Sequence, residues 1–230
     1  MKAQTILQLK EWAEEYNDPK YCEEDPIAFP REFIRRGASL QDIEIASVFA
    51  SFLAWGRRAM IVRDCERLFE QMEWRPYDYV MSGSYRDDDA SLHRTVKWSE
   101  AAAICRRLRE WYTWHDTLEG LSAKEIRSTV FRRKDDPAAP DKKINLMRRW
   151  LVRSDGKVDL GLWTNTDPRT LIVPLDVHVY GQAAALELTR RKSKDLKTAL
   201  EITARFSEIW PDDPLMGDFA LFGYGVTHSR

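Results

Sequence analysis

Asp176 stands alone among apolar neighbours in the stretch Pro174-Leu175-Asp176-Val177-His178-Val179. Pro174 suits the start of a helix, and the pattern predicts one from Leu175 through Leu188. An acid in the first turn of such a helix accepts free backbone N–H groups and complements the helix dipole. The same carboxylate, held ionised by those groups, can be aimed at a substrate. Upstream lies a dense basic stretch. Lys142, Lys143, Arg148, Arg149, Arg153 and Lys157 fall within sixteen positions, opposed there by Asp155 alone. The spacing of Lys142, Arg149 and Arg153 places three cations near one helical face. A face of that kind can hold phosphates, and its plainer reading is a solvated surface.

Two other sets of residues bear on chemistry. His93, then His115-Asp116, then Asp176 follow the order H…HD…D of metal phosphohydrolases. Imidazole and carboxylate suit divalent cations. So loose a pattern is easily met by chance, so this reading ranks third and no metal is expected. His178 reads as a neutral, hydrogen-bonded helix residue. The chain holds nine tryptophans. Trp12, Trp55 and Trp111 occur at core-like helical spacing. Trp163 sits in an irregular segment before Asp176, where it can stack on a base or anchor a loop.

The elements that must position these groups are helical. Ile6, Leu9, Ala13 and Tyr16 step by three or four, ending at Asn17-Asp18-Pro19. A short helix follows over 31–36, closed by Gly37. Ser39 and Asp42 form a capping-box start for a helix apolar almost all round, hence central to a core. Met60, Ile61, Leu68 and Phe69 mark the next helix, which stops before Pro76. The run from Ser82 to Asp89 is polar and reads as a loop. Ile104, Leu108, Trp111 and Tyr112 give another helix, and Ser122 with Glu125 opens one more. Ile144, Met147 and Leu151 share a face, as do Leu196, Ala199, Thr203 and Phe206. The last helix runs from after Pro214 to Gly223. Sustained period-two alternation is missing beyond 170–173, and so is an Asn-Gly or Asp-Gly hairpin turn between β-rich runs. The fold class is therefore all-α: one two-lobed helical domain over 1–230, with a lobe junction expected at 132–141.

The bulk numbers narrow the function. A length of 230 residues is ample for a buried core. The net charge of −1 rules out a uniform basic field, so nucleic acid would have to meet a local patch. Cys22, Cys65 and Cys105 form no C-x-x-C pair, which argues against thiolate zinc or an iron–sulfur cluster. Charges come too early for a signal peptide, and no apolar run spans a membrane. A cytoplasmic monomer without a cofactor is expected.

Larger pieces of the chain carry a resemblance. They are 142–153, Val158-Asp159-Leu160-Gly161-Leu162-Trp163 and 172–179, with Asp25-Pro26-Ile27, Glu44-Ile45-Ala46, Ala54-Trp55-Gly56-Arg57-Arg58, Asp213-Pro214 and 218–223. Together they resemble an uncharacterised bacterial protein family. That family is in turn similar, mainly over the C-terminal half, to the helix-hairpin-helix (HhH-GPD) DNA glycosylases. The resemblance implies a two-lobed helical bundle of that type, in which a lysine opens a helix and a P-x-D-x-H stretch carries a catalytic aspartate. Asp176 takes that aspartate's place. Lys142 and Lys143 stand 34 and 33 positions before it, close to the spacing of the archaeal 8-oxoguanine branch. Lys157 stands nearer the spacing of the commonest members. Lys142 or Lys143 is preferred, because both open a helix after a Pro-rich turn. The Gly-rich L-P-G-x-G hairpin is replaced by Pro137-Ala138-Ala139-Pro140-Asp141, and the cluster cysteines of iron–sulfur members are absent. That hairpin clamps a duplex phosphate, so damaged or single-stranded DNA is the expected partner.

The implied chemistry is base excision, with strand cleavage through a lysine Schiff base. A lysine must be neutral to attack, a state that neighbouring cations and partial burial favour. Asp176 would steady the cationic sugar and accept the lysine proton. Arg149, Arg153, Trp163 and His178 would contact the substrate, whose base is flipped out of its stack. A non-catalytic nucleic-acid-binding helical module is the second reading.

Overall fold

The computed structural model describes residues 1–132 and 136–228. Among them eleven α-helices run in chain order: α1 (Ala3–Tyr16), α2 (Ala28–Arg35), α3 (Leu40–Leu53), α4 (Arg58–Gln71), α5 (Pro76–Ser82), α6 (Trp98–Tyr112), α7 (Ala123–Thr129), α8 (Lys142–Val152), α9 (Val177–Ala185), α10 (Leu196–Ser207) and α11 (Met216–Thr227). One small antiparallel hairpin joins β1 (Ser91–His93) to β2 (Val96–Lys97). The fold is all-α, as the periodicity indicates. No described helix is long and apolar enough to cross a membrane.

The chain divides into two compact units, Met1–Tyr21 with Asp136–Arg230, and Cys22–Asp135. Of the expected junction at 132–141, residues 133–135 lie outside the described residues. The helix α1 groups with the C-terminal part of the chain, and no local pattern in the sequence signals that.

In the unit containing α1, the core gathers Leu9 and Ala13 of α1, Val179 and Ala183 of α9, Ile202 and Phe206 of α10, and Ala220 and Leu221 of α11. These are the apolar stripes of four amphipathic helices turned toward one another. Trp12 stacks on Tyr224 with ring centres 3.8 Å apart. Asn17, just past α1, donates to Asp155 at 2.7 Å. The glycines of α11 permit its close approach to α1 and α10. A Cβ at Gly217 would sit 2.2 Å from the Phe206 ring, and one at Gly223 would sit 2.3 Å from that of Tyr16. The helix continues four residues past Gly223, where the sequence suggested its end.

In the other unit α3 is central. Every residue from Ile43 to Leu53 is buried, and α2, α4 and α5 pack on it. Its start is the expected Ser39–Asp42 capping box. Glu44 is buried within this all-round apolar helix. Its carboxylate accepts from the Tyr112 hydroxyl at 2.8 Å, the Thr117 hydroxyl at 2.5 Å and the Leu118 N–H at 3.0 Å. A buried polar group is tolerated only when so satisfied. The capping box Ser122–Glu125 opens α7, again as expected. Two elements escape the sequence pattern, α5 and the hairpin. The helix α2 also starts three residues earlier than expected, at Ala28.

Candidate active site

The residues that could do chemistry meet in the unit containing α1. Asp176 is the N-cap of α9, one step outside the helix rather than in its first turn. Its Oδ1 accepts from the backbone N–H groups of His178 at 2.9 Å and Val179 at 2.8 Å. These are two of the donors that every helix start leaves open. They hold Oδ1 in place and leave Oδ2 for another partner. Lys142, the first residue of α8, brings its Nζ to 3.7 Å from that Oδ2. The side chain of Lys142 is 32% exposed and that of Asp176 10%. The pair is thus formed by two helix starts, and solvent still reaches the amine. Lys143 is half-buried and lies roughly 100° further round the same helix. Of the two candidate lysines, Lys142 is the one that this ion pair brings to Asp176.

His178 is the second residue of the helix that Asp176 caps. It is half-buried, with its ring edge-on to Phe222 at 6.2 Å. Gly225 lets α11 pass close beneath, since a Cβ there would stand 3.0 Å from that of His178.

The expected cationic face on α8 is not formed. Arg149 and Arg153 are buried and engaged with carboxylates. Arg149 meets Asp159 at 3.3 Å and Asp218 at 2.5 Å. Arg153 meets Asp155 at 2.6 Å, Asp159 at 3.1 Å and Asp213 at 2.9 Å. Both guanidinium groups also lie over the Phe219 ring, at 4.5 and 4.8 Å. Guanidinium groups so enclosed cannot serve as phosphate clamps, which corrects the substrate-contacting role expected of these two residues. The reason is long-range: Asp213 and Asp218 arrive from sixty or more positions away. Arg148 is also buried, its Nε donates to no acceptor among the described residues, and burial pushes its guanidinium below its ordinary value.

Trp163 is corrected as well. It is 1% exposed, and its backbone N–H donates to Leu151 O at 2.7 Å. It anchors the loop after α8 and offers no face to a base. The histidine pattern also dissolves. His93 is buried, one ring nitrogen 2.7 Å from Asp64 and the other 2.8 Å from Trp55 O. His115 is exposed and lies flat on Trp111, with 3.6 Å between ring centres. No group of three or more His, Cys, Asp or Glu suited to a metal occurs among the described residues.

The sequence reading missed the carboxylates behind the pair. Asp159 and Asp218 are fully enclosed acids in apolar surroundings, between Val158 and Leu160 and between Gly217 and Phe219. An isolated acid inside an apolar run needs a buried cation, and that was the available signal. Burial raises Asp159 above its ordinary value, against the pull of Arg149 and Arg153. Burial likewise pushes Asp218 up to about 6; Arg149 opposes the rise, and the charge of Asp176 adds to it. Asp218 therefore senses the candidate carboxylate.

A pH effect follows. The folded-state midpoint of Asp218 is raised from 3.8 to about 6. Its contribution to stability is full below the unfolded value and is lost as pH rises through about 6. Carbon NMR of labelled aspartate carboxyls will show one group titrating near 6 in the folded protein. If Asp218 titrates near 4 instead, burial does not outweigh the pull of Arg149 as described.

A family model described as "Protein of unknown function (DUF2400)" matches residues 25–139 and 123–227. No curated protein and no solved structure matches the chain.

Proposed function

The chain belongs to the family described as "Protein of unknown function (DUF2400)"; from the geometry of Lys142 and Asp176 we propose that it is a base-excision enzyme acting on damaged or single-stranded DNA. Lys142 is the nucleophile, and Asp176 is its proton acceptor and electrostatic partner. The observation that carries this reading is the 3.7 Å approach of the Lys142 amine to an Asp176 carboxylate already anchored by two backbone N–H groups. A nucleophile paired with an oriented base is the minimal arrangement for such a displacement.

In the reaction, the neutral Lys142 amine forms a bond to the sugar C1′. The bond from C1′ to the base nitrogen breaks, and the base leaves with its electron pair. Asp176 Oδ2 stabilises positive charge at the sugar as that bond lengthens, then takes the proton from the lysine nitrogen. The C1′–O4′ bond then breaks and O4′ takes the proton held by Asp176, which leaves a protonated imine between lysine and sugar; Asp176, ionised again, removes a C2′ proton, and the 3′ phosphate leaves with the electron pair of the C3′–O bond.

The test is strand scission on single-stranded oligonucleotides carrying an abasic site or an oxidised purine. Wild-type protein cleaves at the lesion. Asp176→Asn lowers the rate by ~10²-fold, the scale of a lost proton acceptor. Asparagine is itself a good N-cap, so the melting temperature of this variant stays close to that of wild type. Binding without cleavage on every lesion tried would leave the non-catalytic nucleic-acid module as the better reading. Cleavage at an unchanged rate in Asp176→Asn would remove Asp176 from the mechanism.

A further inference from the structure

The unit built around α3 carries a cavity of its own, whose lining includes neither Lys142 nor Asp176. It has a volume of about 430 Å³ and lies where the C-terminal end of α6 meets the end of α7. Arg107 and Arg132 line it, with Trp114, His115 and Glu110. The two arginines set its charge. Arg107 is half-buried, and its Nε donates to Val130 O at 2.6 Å, which fixes the plane of the guanidinium. Neither arginine has a carboxylate partner among the described residues. Burial, then the charges of Arg132 and Arg106, push Arg107 below its ordinary value. Guanidinium groups crowded in this way favour an anion between them, and phosphate fits the fork geometry of arginine.

The aromatic residues set the rest. Trp114 is 83% exposed, the most exposed of the large hydrophobic side chains described. The neighbouring indole of Trp111 is already covered by His115 and donates its N–H to Thr117 O. Trp114 thus presents an open aromatic face beside two cations. A planar ring joined to a phosphate meets both features. Glu110 repels the phosphate from its own side of the cavity and can accept N–H groups from the edge of a base. We propose that this cavity binds a nucleoside phosphate, with the base stacked on Trp114 and the phosphate held by Arg107 and Arg132.

The ligand can be a free nucleotide or one unit of a single strand, and the two are told apart by titration. The full-length protein is titrated with guanosine monophosphate, with a short single-stranded oligodeoxynucleotide and with inorganic phosphate, following tryptophan fluorescence and heat. The site predicts saturable binding of the nucleotide, the oligonucleotide or both. Tighter binding of the oligonucleotide than of the nucleotide identifies a strand as the source, and the reverse identifies a free nucleotide. Trp114→Ala and Arg132→Gln each weaken binding at least ~tenfold, the scale of a lost base–aromatic stack. Both positions are exposed, so circular dichroism and melting remain those of wild type. Neither Lys142 nor Asp176 lines this cavity, so saturable binding of guanosine monophosphate here persists whatever becomes of the base-excision reading. No binding of either nucleotide ligand overturns the proposal. So does binding unchanged in both variants, or binding of phosphate as tight as that of the nucleotide and indifferent to Trp114→Ala.

Discussion

Lys142→Gln abolishes strand scission at an abasic site, a loss of at least ~10³-fold, whereas Lys143→Gln keeps most of the activity. The contrast follows from geometry. Lys142 puts its amine 3.7 Å from Asp176 Oδ2, and the next residue along α8 points roughly 100° away. Glutamine retains most of the side-chain length and can still hydrogen-bond the carboxylate, so what is removed is the nucleophilic amine. Lys142 is partly exposed at a helix start, so melting of the variant stays within about 1 kcal/mol of wild type. Single-turnover cleavage of an end-labelled oligonucleotide checks both variants. Equal losses in the two would mean that charge near Asp176, rather than one amine, carries the chemistry.

The second large effect is on stability. Arg153→Ala costs about 3–5 kcal/mol, the penalty for leaving buried charges without their partner. Arg153 is 2% exposed and is shared by Asp155, Asp159 and Asp213. Removing it strands Asp159, whose side chain is fully enclosed, with Arg149 alone. Phe219 also loses one of the two guanidinium groups lying over its ring. Scanning calorimetry should show the melting transition lowered by on the order of 10 °C. Replacing Lys157, an exposed member of the same basic stretch, should leave the transition in place. A drop as small for Arg153→Ala as for Lys157 would show that the buried carboxylates are held by something else.

That comparison shows where the sequence was legible. Capping boxes are local, so Ser39–Asp42 and Ser122–Glu125 could be read directly and mark the true starts of α3 and α7. The apolar stripes of α1, α8 and α10 repeat over three turns or more, and their helices stand where the spacing put them. The hairpin at 91–97 was invisible, because strands of three and two residues are too short for alternation. Its turn carries positive φ at Arg94, a residue that does not advertise a turn. The helix α5 has only seven residues and little periodicity to read.

The site divides along the same line. Asp176 was readable because an N-cap depends on its immediate neighbours. The choice between Lys142 and Lys143 was not, since one residue of helical rotation decides it and only tertiary placement fixes that rotation. Arg149 and Arg153 read as a cationic face because a single acid lies within their sixteen-residue stretch, while Asp213, between α10 and α11, and Asp218, in α11, approach from far along the chain. Trp163 misled for a related reason. An irregular segment can be as deeply buried as a helix, and its indole fills the core beside α8.

The most direct measurement is to trap the intermediate and find the residue that holds it. Wild-type protein is incubated with an abasic single strand and borohydride, which reduces the imine to a stable amine, and the cross-linked peptide is mapped by mass spectrometry. The adduct should fall on Lys142, form at least ~10²-fold more slowly in Asp176→Asn, and persist in Lys143→Gln. An adduct on Lys143 or Lys157, or none on any lysine of α8, would contradict the assignment of Lys142 and Asp176 as the reacting pair.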